Sequence, residues 1–412
     1  MPSTTRRTFL GTLAASAGAS VAGCSSSCPD NEDPTPSTVF GPDDAGDGFN
    51  TVPGGSWPAP QFDAGNTGYA PSRRLPESPT AHWETTVSTP ETDVNAVSSP
   101  TVANGTVYLA TGAQVVALAL RDGSVRWRSD SIGPVATGTA TEDEDDIVPP
   151  VVAGGRVHLA TENGLVALDA DDGQTAWRYG PSTTAGVPTA LDDGVVVPAD
   201  DRVIRLSADG TEEWTAEVSA AAPAVADGTV VAAGDEETVA LDAATGDRRW
   251  SASQTGETYP VATDGTVYLG AYGGLTALSL DGGEELWQVD RGGGRNFSAP
   301  VVTDDTIYVV ERPGEAADAT FAFDRSTDPP EPRWCSRTTE GAVAAAAGKH
   351  VFTLQPNDEG VGRAVELLTF TARFGEVTWG FSTGDRVLSP AVLDGGGVLA
   401  THRGTVVGFG GA

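Results

Sequence analysis

The side chains best suited to hold a ligand are arginines. Arg291 and Arg295 bracket Gly292-Gly293-Gly294, Arg312 lies in the next long connection, and Arg363 lies one repeat further on. A guanidinium pairs bidentately with carboxylates, so such a cluster would take an acidic peptide or glycan. The plainer reading stands beside it: these arginines neutralise nearby acid on connectors. Catalytic chemistry is harder to find. The chain has no G-x-S-x-G, no phosphate-cradling G-x-x-x-x-G-K-[ST] and no Cys-x-x-Cys. His82, His158, His350 and His402 fall in different repeats without chelating spacing. His158 stands where other repeats carry Tyr108, Tyr268 and Tyr308, the position of a strand-packing residue. Glu142-Asp143-Glu144-Asp145-Asp146 lacks the alternation of a calcium loop and reads as a solvated acidic loop. Asn104 and Asn296 head glycosylation sequons, although a turn explains Asn104 equally well. The expectation is a protein without catalytic residues, metal ligands or cofactor.

The N-terminus carries chemistry of another kind. Arg6-Arg7-Thr8-Phe9-Leu10 and the apolar stretch to Gly23 resemble a twin-arginine export signal, too short to span a membrane. Val21-Ala22-Gly23-Cys24 resembles a lipobox, which makes Cys24 the lipidated first residue of a mature chain at the outer face of the cytoplasmic membrane. Residues 24–56, rich in Ser, Pro, Gly and Asp, are expected to form a disordered tether. Cys28 and Cys335 are open to two readings: a disulfide pinning the tether, or a packed Cys335 with Cys28 spare.

Composition narrows the partners. With 24 basic and 57 acidic residues the net charge is −33, which excludes the duplex nucleic-acid surface as a partner. Lys349 is the sole lysine. Self-repulsion at this density is screened when about 1 M salt shrinks the Debye length to roughly 3 Å, so adaptation to high salt is expected.

The elements that must position these residues follow from tryptophan spacing. Trp83, Trp127, Trp177, Trp214, Trp250, Trp287, Trp334 and Trp379 are separated by 44, 50, 37, 36, 37, 47 and 45 residues. That is the length of a four-stranded propeller blade. Each interval repeats one order: a strand after a proline, a two-residue turn such as Asn104-Gly105, Asp193-Gly194, Asp227-Gly228 or Asp264-Gly265, two alternating strands, then Trp. The last copy, from Pro390, stops without its Trp, and Ala81-His82-Trp83-Glu84 supplies the missing strand. The prediction is an all-β, eight-bladed propeller of antiparallel blades over residues 57–412, with each indole wedged against the preceding blade's turn. The longest insertions, Arg128 to Ile147, Asp290 to Phe297, Glu311 to Ala319 and Gln355 to Arg363, map to one face, which makes that face the expected binding surface.

Leu241-Asp242-Ala243-Ala244-Thr245-Gly246-Asp247-Arg248-Arg249-Trp250, and Ala167-Leu168-Asp169 through Gly173 to Trp177, resemble the docking motif of quinoprotein-type (PQQ-like) propeller repeats. Trp57-Pro58 with Asp63, Asn66, Thr67 and Gly68 resembles the lead-in of the same superfamily. Its dehydrogenases carry an adjacent cysteine pair, a Trp floor under the quinone and a Ca²⁺ site. The cysteines here, at 24, 28 and 335, form no such pair. The lipoprotein signal makes the chain look instead like the BamB-type propeller lipoproteins. That resemblance implies a monomeric, non-catalytic scaffold for a protein or peptide partner. The alternatives are a quinone-dependent oxidoreductase and a sensor of small ligands.

Overall fold

The computed structural model describes residues 36–411, apart from 88–96, 138–146, 181–185, 235, 257–258, 272, 291–295, 313–317, 338–341 and 356–366. The described residues fold into eight sheets, each built on four antiparallel strands, here a to d from the axis outward. Blade 1 comprises Thr101–Ala103, Thr106–Ala110, Val115–Ala119 and Val125–Arg128. Blades 2 to 7 repeat the plan along the chain. Blade 8 joins Ala391–Leu393, Gly396–Ala400 and Thr405–Gly410 to Thr80–Thr86 as its outer strand, so both ends of the chain share one sheet. Closure is visible in the packing. Separate apolar clusters join blades 1 to 2, 2 to 3, 3 to 4, 4 to 5, 5 to 6 and 6 to 7, and a larger one joins 7, 8 and 1. Such a ring leaves no sheet edge open between its blades.

Local sequence explains the blades. Asn104-Gly105, Asp227-Gly228 and Asp264-Gly265 form two-residue a–b turns with φ of 50° and 70°, 47° and 70°, and 50° and 72°, the left-handed pair that such a hairpin requires. Blade 3 departs from the expected Asp193-Gly194 turn: Leu191 pairs Gly194, so Asp192-Asp193 form the loop and the glycine opens strand b. A register slip recurs between strands c and d, at Ala117/Leu118 in blade 1 and at the same place in blades 2 to 6. A bulge there raises local twist and swings the tryptophan outward.

The indoles are wedges, but against the following blade. Trp83, Trp127, Trp177, Trp214, Trp250 and Trp334 donate Nε1–H to Leu120, Ala170, Ala208, Ala243, Leu280 and Ala372 at 2.8–3.1 Å, each in the c–d turn of the next blade. Each ring lies on that turn's glycine. A Cβ on Gly123, Gly173, Gly210, Gly246, Gly283 or Gly375 would come within 2.5–2.8 Å of it. The expected packing on the preceding blade is corrected accordingly.

Blade 7 breaks the rule at the seam. Strands c and d of blade 8 come from opposite ends of the chain, so no c–d turn is there to receive Trp379. The carbonyl in register, that of Gly411, pairs with His82 Nε2 at 2.8 Å, and Trp379 Nε1 has no acceptor among the described residues. Phe40 fills the gap, with ring centroids 5.6 Å from Trp379, 5.1 Å from Phe381 and 5.8 Å from Phe409. Phe40 arrives on Thr38–Phe40, a short strand running parallel to Val377–Phe381 on the outer edge of blade 7. The chain then bonds His82 and Arg121 through Gly48 and Phe49. Residues 36–56 thus lie along the propeller, although their composition reads as tether. Phe40 and Phe49 are buried, whereas Val39 is exposed.

Candidate functional site

A propeller offers two concave places, the axial channel and the loop-bearing faces. In the channel, residues 54–70 travel once round the inner strands in blade order. Gly54 exchanges hydrogen bonds with Asp394 of blade 8 and Trp57 with Val102 of blade 1. The carbonyls of Pro58, Ala64, Gly65, Thr67 and Gly68 then accept from Val152, Val225, Ala262, Val302 and Ala346, in blades 2, 4, 5, 6 and 7. Seven of the eight inner strands are bonded by one segment.

Its shape comes from four left-handed residues, Gly55 (φ 88°), Phe62 (φ 71°), Asn66 (φ 57°) and Gly68 (φ 64°). Asn66 donates its amide to Ala222, Pro223 and Pro260 at 3.2–3.4 Å, tying blades 4 and 5. Asp63 accepts from Thr67 N and Oγ1 at 3.0 and 2.6 Å. Burial pushes the Asp63 carboxyl above its usual range, while hydrogen bonds from Thr67 and Gly65 pull it down. Trp57 is buried against Phe62, rings 5.0 Å apart, with Nε1 donating to Pro60. Trp57, Asp63, Asn66, Thr67 and Gly68 were singled out in the sequence as a lead-in. Their role as an axial plug was missed, and the signal available was the Asn-Thr-Gly turn.

On the face carrying the d–a and b–c connections, Arg312 is half-buried, its Nε 3.8 Å from Asp318 Oδ2. Burial lowers its pKa and Asp318 opposes that shift. Its backbone pairs with Asn296, so the short strand Asn296–Phe297 braces it. Arg291, Arg295 and Arg363 lie outside the described residues, as do Cys24 and the acidic run 142–146. Cys335, on the outer strand of blade 6, is disulfide-bonded. The reading of a packed free thiol is therefore corrected. A d strand lies at the rim, where Cys335 is only half-buried. The chain's other cysteines, Cys24 and Cys28, are outside the described residues.

His158 is a packing residue, buried with its ring 5.6 Å from Trp177. At the same place Tyr108 and Tyr308 pack on Trp127 and Trp334 and donate their hydroxyls to Ala170 and Ala372. Burial pulls the His158 pKa down to about 4, with Arg156 adding to the shift. The folded pKa is below the unfolded one, so His158 contributes fully above about pH 6.5 and its contribution is lost as pH falls towards 4. His158→Tyr is expected to match the parent at pH 7 and to lose about 3 kcal/mol less between pH 7 and pH 4. Denaturant titrations at both values check this; equal acid sensitivity in parent and variant would refute it.

Residues 54–70 bond along the inner strands, and the carboxyl that they bury there, Asp63, suits a polyacid quinone poorly. Among the described residues no group of three or more His, Cys, Asp or Glu could hold a metal ion. No helix among them is long and apolar enough to cross a membrane.

The sequence profile of a family described as outer membrane protein assembly factor BamB matches residues 76–169 and 161–380. No curated protein matches the chain significantly. Among solved structures, BamB from Moraxella catarrhalis aligns with a TM-score of 0.58 at 18% identity, covering 80% of this chain and 98% of that one. Quinohemoprotein alcohol dehydrogenase from Comamonas testosteroni aligns at 0.65 and 15%, covering 87% and 81%. The computationally designed Ika8 protein aligns at 0.61 and 14%, covering 79% and 99%. Likeness that extends to a designed protein speaks to fold alone.

Proposed function

The chain belongs to the outer membrane protein assembly factor BamB family of PQQ-like repeat propellers, and from that premise we propose that it is a binding scaffold. In this reading it is exported, anchored through lipid on Cys24, and holds a protein or peptide partner on the face with the long connections. The observation that carries the reading is the axial plug. The channel is the cavity that a propeller offers to a small reactive molecule, and here the chain's own residues 54–70 take it up. The long connections, with Arg312 and the arginines 291, 295 and 363 singled out in the sequence, are left for recognition in this reading. Acidic partner segments suit those guanidiniums.

Crosslinking in intact cells at high salt, with the captured species identified, tests the proposal. Arg291→Ala with Arg295→Ala is expected to reduce capture of the principal partner about tenfold or more, since each lost arginine contact costs on the order of 1–2 kcal/mol, without moving the thermal midpoint. Unchanged capture would reject this binding face. Dye reduction by purified protein given the quinone and Ca²⁺ would reject the scaffold in favour of an oxidoreductase.

A further inference from the structure

We infer that the outer edge of blade 7 lies against an anionic lipid surface. The large exposed apolar side chains among the described residues are Val39, Val125, Leu286 and Phe374. Two of them, Phe374 at 62% exposure and Val39 at 46%, belong to this edge. Phe374 occupies the c–d turn of blade 7, at the position held by Asp122, Asp172, Thr245 and Gly282 in blades 1, 2, 4 and 5. An aromatic ring has no packing task in a solvated turn. The Arg373 guanidinium lies 5.1 Å from its centroid.

Arg373, Lys349 and Arg74 stand near this ring, with Glu376 and Glu77 the acids beside them. Lys349, exposed in the a–b turn of the same blade, accepts through its carbonyl from Ala372 N at 2.8 Å, which fixes the two turns side by side. Its ammonium meets Glu77 at 3.4 Å, both side chains mostly exposed, a pair worth little. Arg74 is exposed beside it, on the segment whose Arg73 carbonyl crowds Gly348. A ring with flanking Arg and Lys is the pattern that settles at headgroup level.

The position of the chain's start points to the same occupant. Ser37 N donates to Thr378 O at 3.1 Å, and Thr38–Phe40 runs parallel to the strand that leaves the Phe374 turn. The chain therefore enters the propeller beside Phe374. Cys24 is 12 residues upstream of Pro36, a reach of at most about 40 Å. One lipid chain alone gives marginal, reversible attachment, and stable anchoring takes a second signal. Blade 7 supplies it. Acidic turns such as Asp171-Asp172, Asp192-Asp193 and Asp264 on the other blades make the contact edge-on rather than flat.

The inference rests on the proposed anchor for its direction of approach, and its test does without the lipid. Residues 25–412, which contain every described element but not Cys24, are sedimented with vesicles of phosphatidylglycerol and phosphatidylcholine at high salt. Binding is expected, falling about tenfold in the joint variant Arg373→Ser, Phe374→Ser and unchanged in Leu286→Ser on blade 5. No binding by the parent, equal binding by the joint variant, or an equal loss in Leu286→Ser would overturn it. The parent and both variants should share one unfolding midpoint, since the substituted positions are exposed. The anchor is tested separately by the acyl mass on Cys24 of membrane-extracted protein, whose absence would leave the vesicle result intact.

Discussion

Replacing Trp57 with alanine is expected to cost about 3–5 kcal/mol of unfolding free energy, the range for deleting a buried aromatic. Trp57 is 1% exposed, packs on Phe62 and exchanges backbone hydrogen bonds with Val102 at 2.7 and 2.8 Å. Removing the indole takes away the small core that holds residues 54–70 in place. The loss should be felt beyond its own contacts, because the amides of Val152, Val225, Ala262, Val302 and Ala346 all have their partners on that segment. Hydrogen exchange should therefore quicken at those amides together, in blades far apart in sequence. Guanidinium titration and amide exchange check the two effects. A variant that destabilises locally, with exchange unchanged beyond blade 1, would show that the plug is several independent contacts rather than one element.

Phe40→Ala is the second large effect, again about 3–5 kcal/mol. Phe40 is 4% exposed and touches three aromatic rings at the seam, where blade 8 has no c–d glycine turn to receive Trp379. The adjacent Val39, largely exposed on the same strand, serves as the control: Val39→Ala should change stability by no more than about 0.5 kcal/mol. Exchange at Val377–Phe381 should quicken in the first variant only. If both substitutions cost the same, the strand would matter for its backbone pairing and the phenylalanine for nothing further.

These two residues also show where reading a sequence stops. The blades were legible because their determinants are local: Asn-Gly and Asp-Gly turns, and Trp127, Trp177, Trp214 and Trp250 each 20–22 residues after the turn glycine of its own repeat. The seam was legible for the same reason, since Pro390 opens a copy that only Trp83 completes. The plug was not, because it bonds through backbone groups of Pro58, Ala64 and Gly65, which any side-chain sequence could offer. Phe40 was lost among prolines and aspartates, where one apolar residue makes no period. The direction of the wedges, onto the following blade, depended on the bulge after Ala117 and its counterparts, which leaves no compositional trace. On the long-loop face, Arg312 was legible as a candidate, while its ion pair with Asp318 across the b–c connection was not.

The segment from Pro36 to Ser56 is made early and satisfied late. Its partners include Trp379 and Asp394, so at roughly 5–20 residues per second the ribosome needs on the order of 20–70 s to deliver them. Throughout that interval Ser37, Thr38–Phe40 and Gly54 lack their partners across the seam, and the nascent blades form a row whose two ends have not met. The toroid can therefore close only after synthesis is essentially complete. A translocation route that threads chains in order of synthesis would hand the far side an opening segment with nothing to bind. One that accepts a finished ring would not.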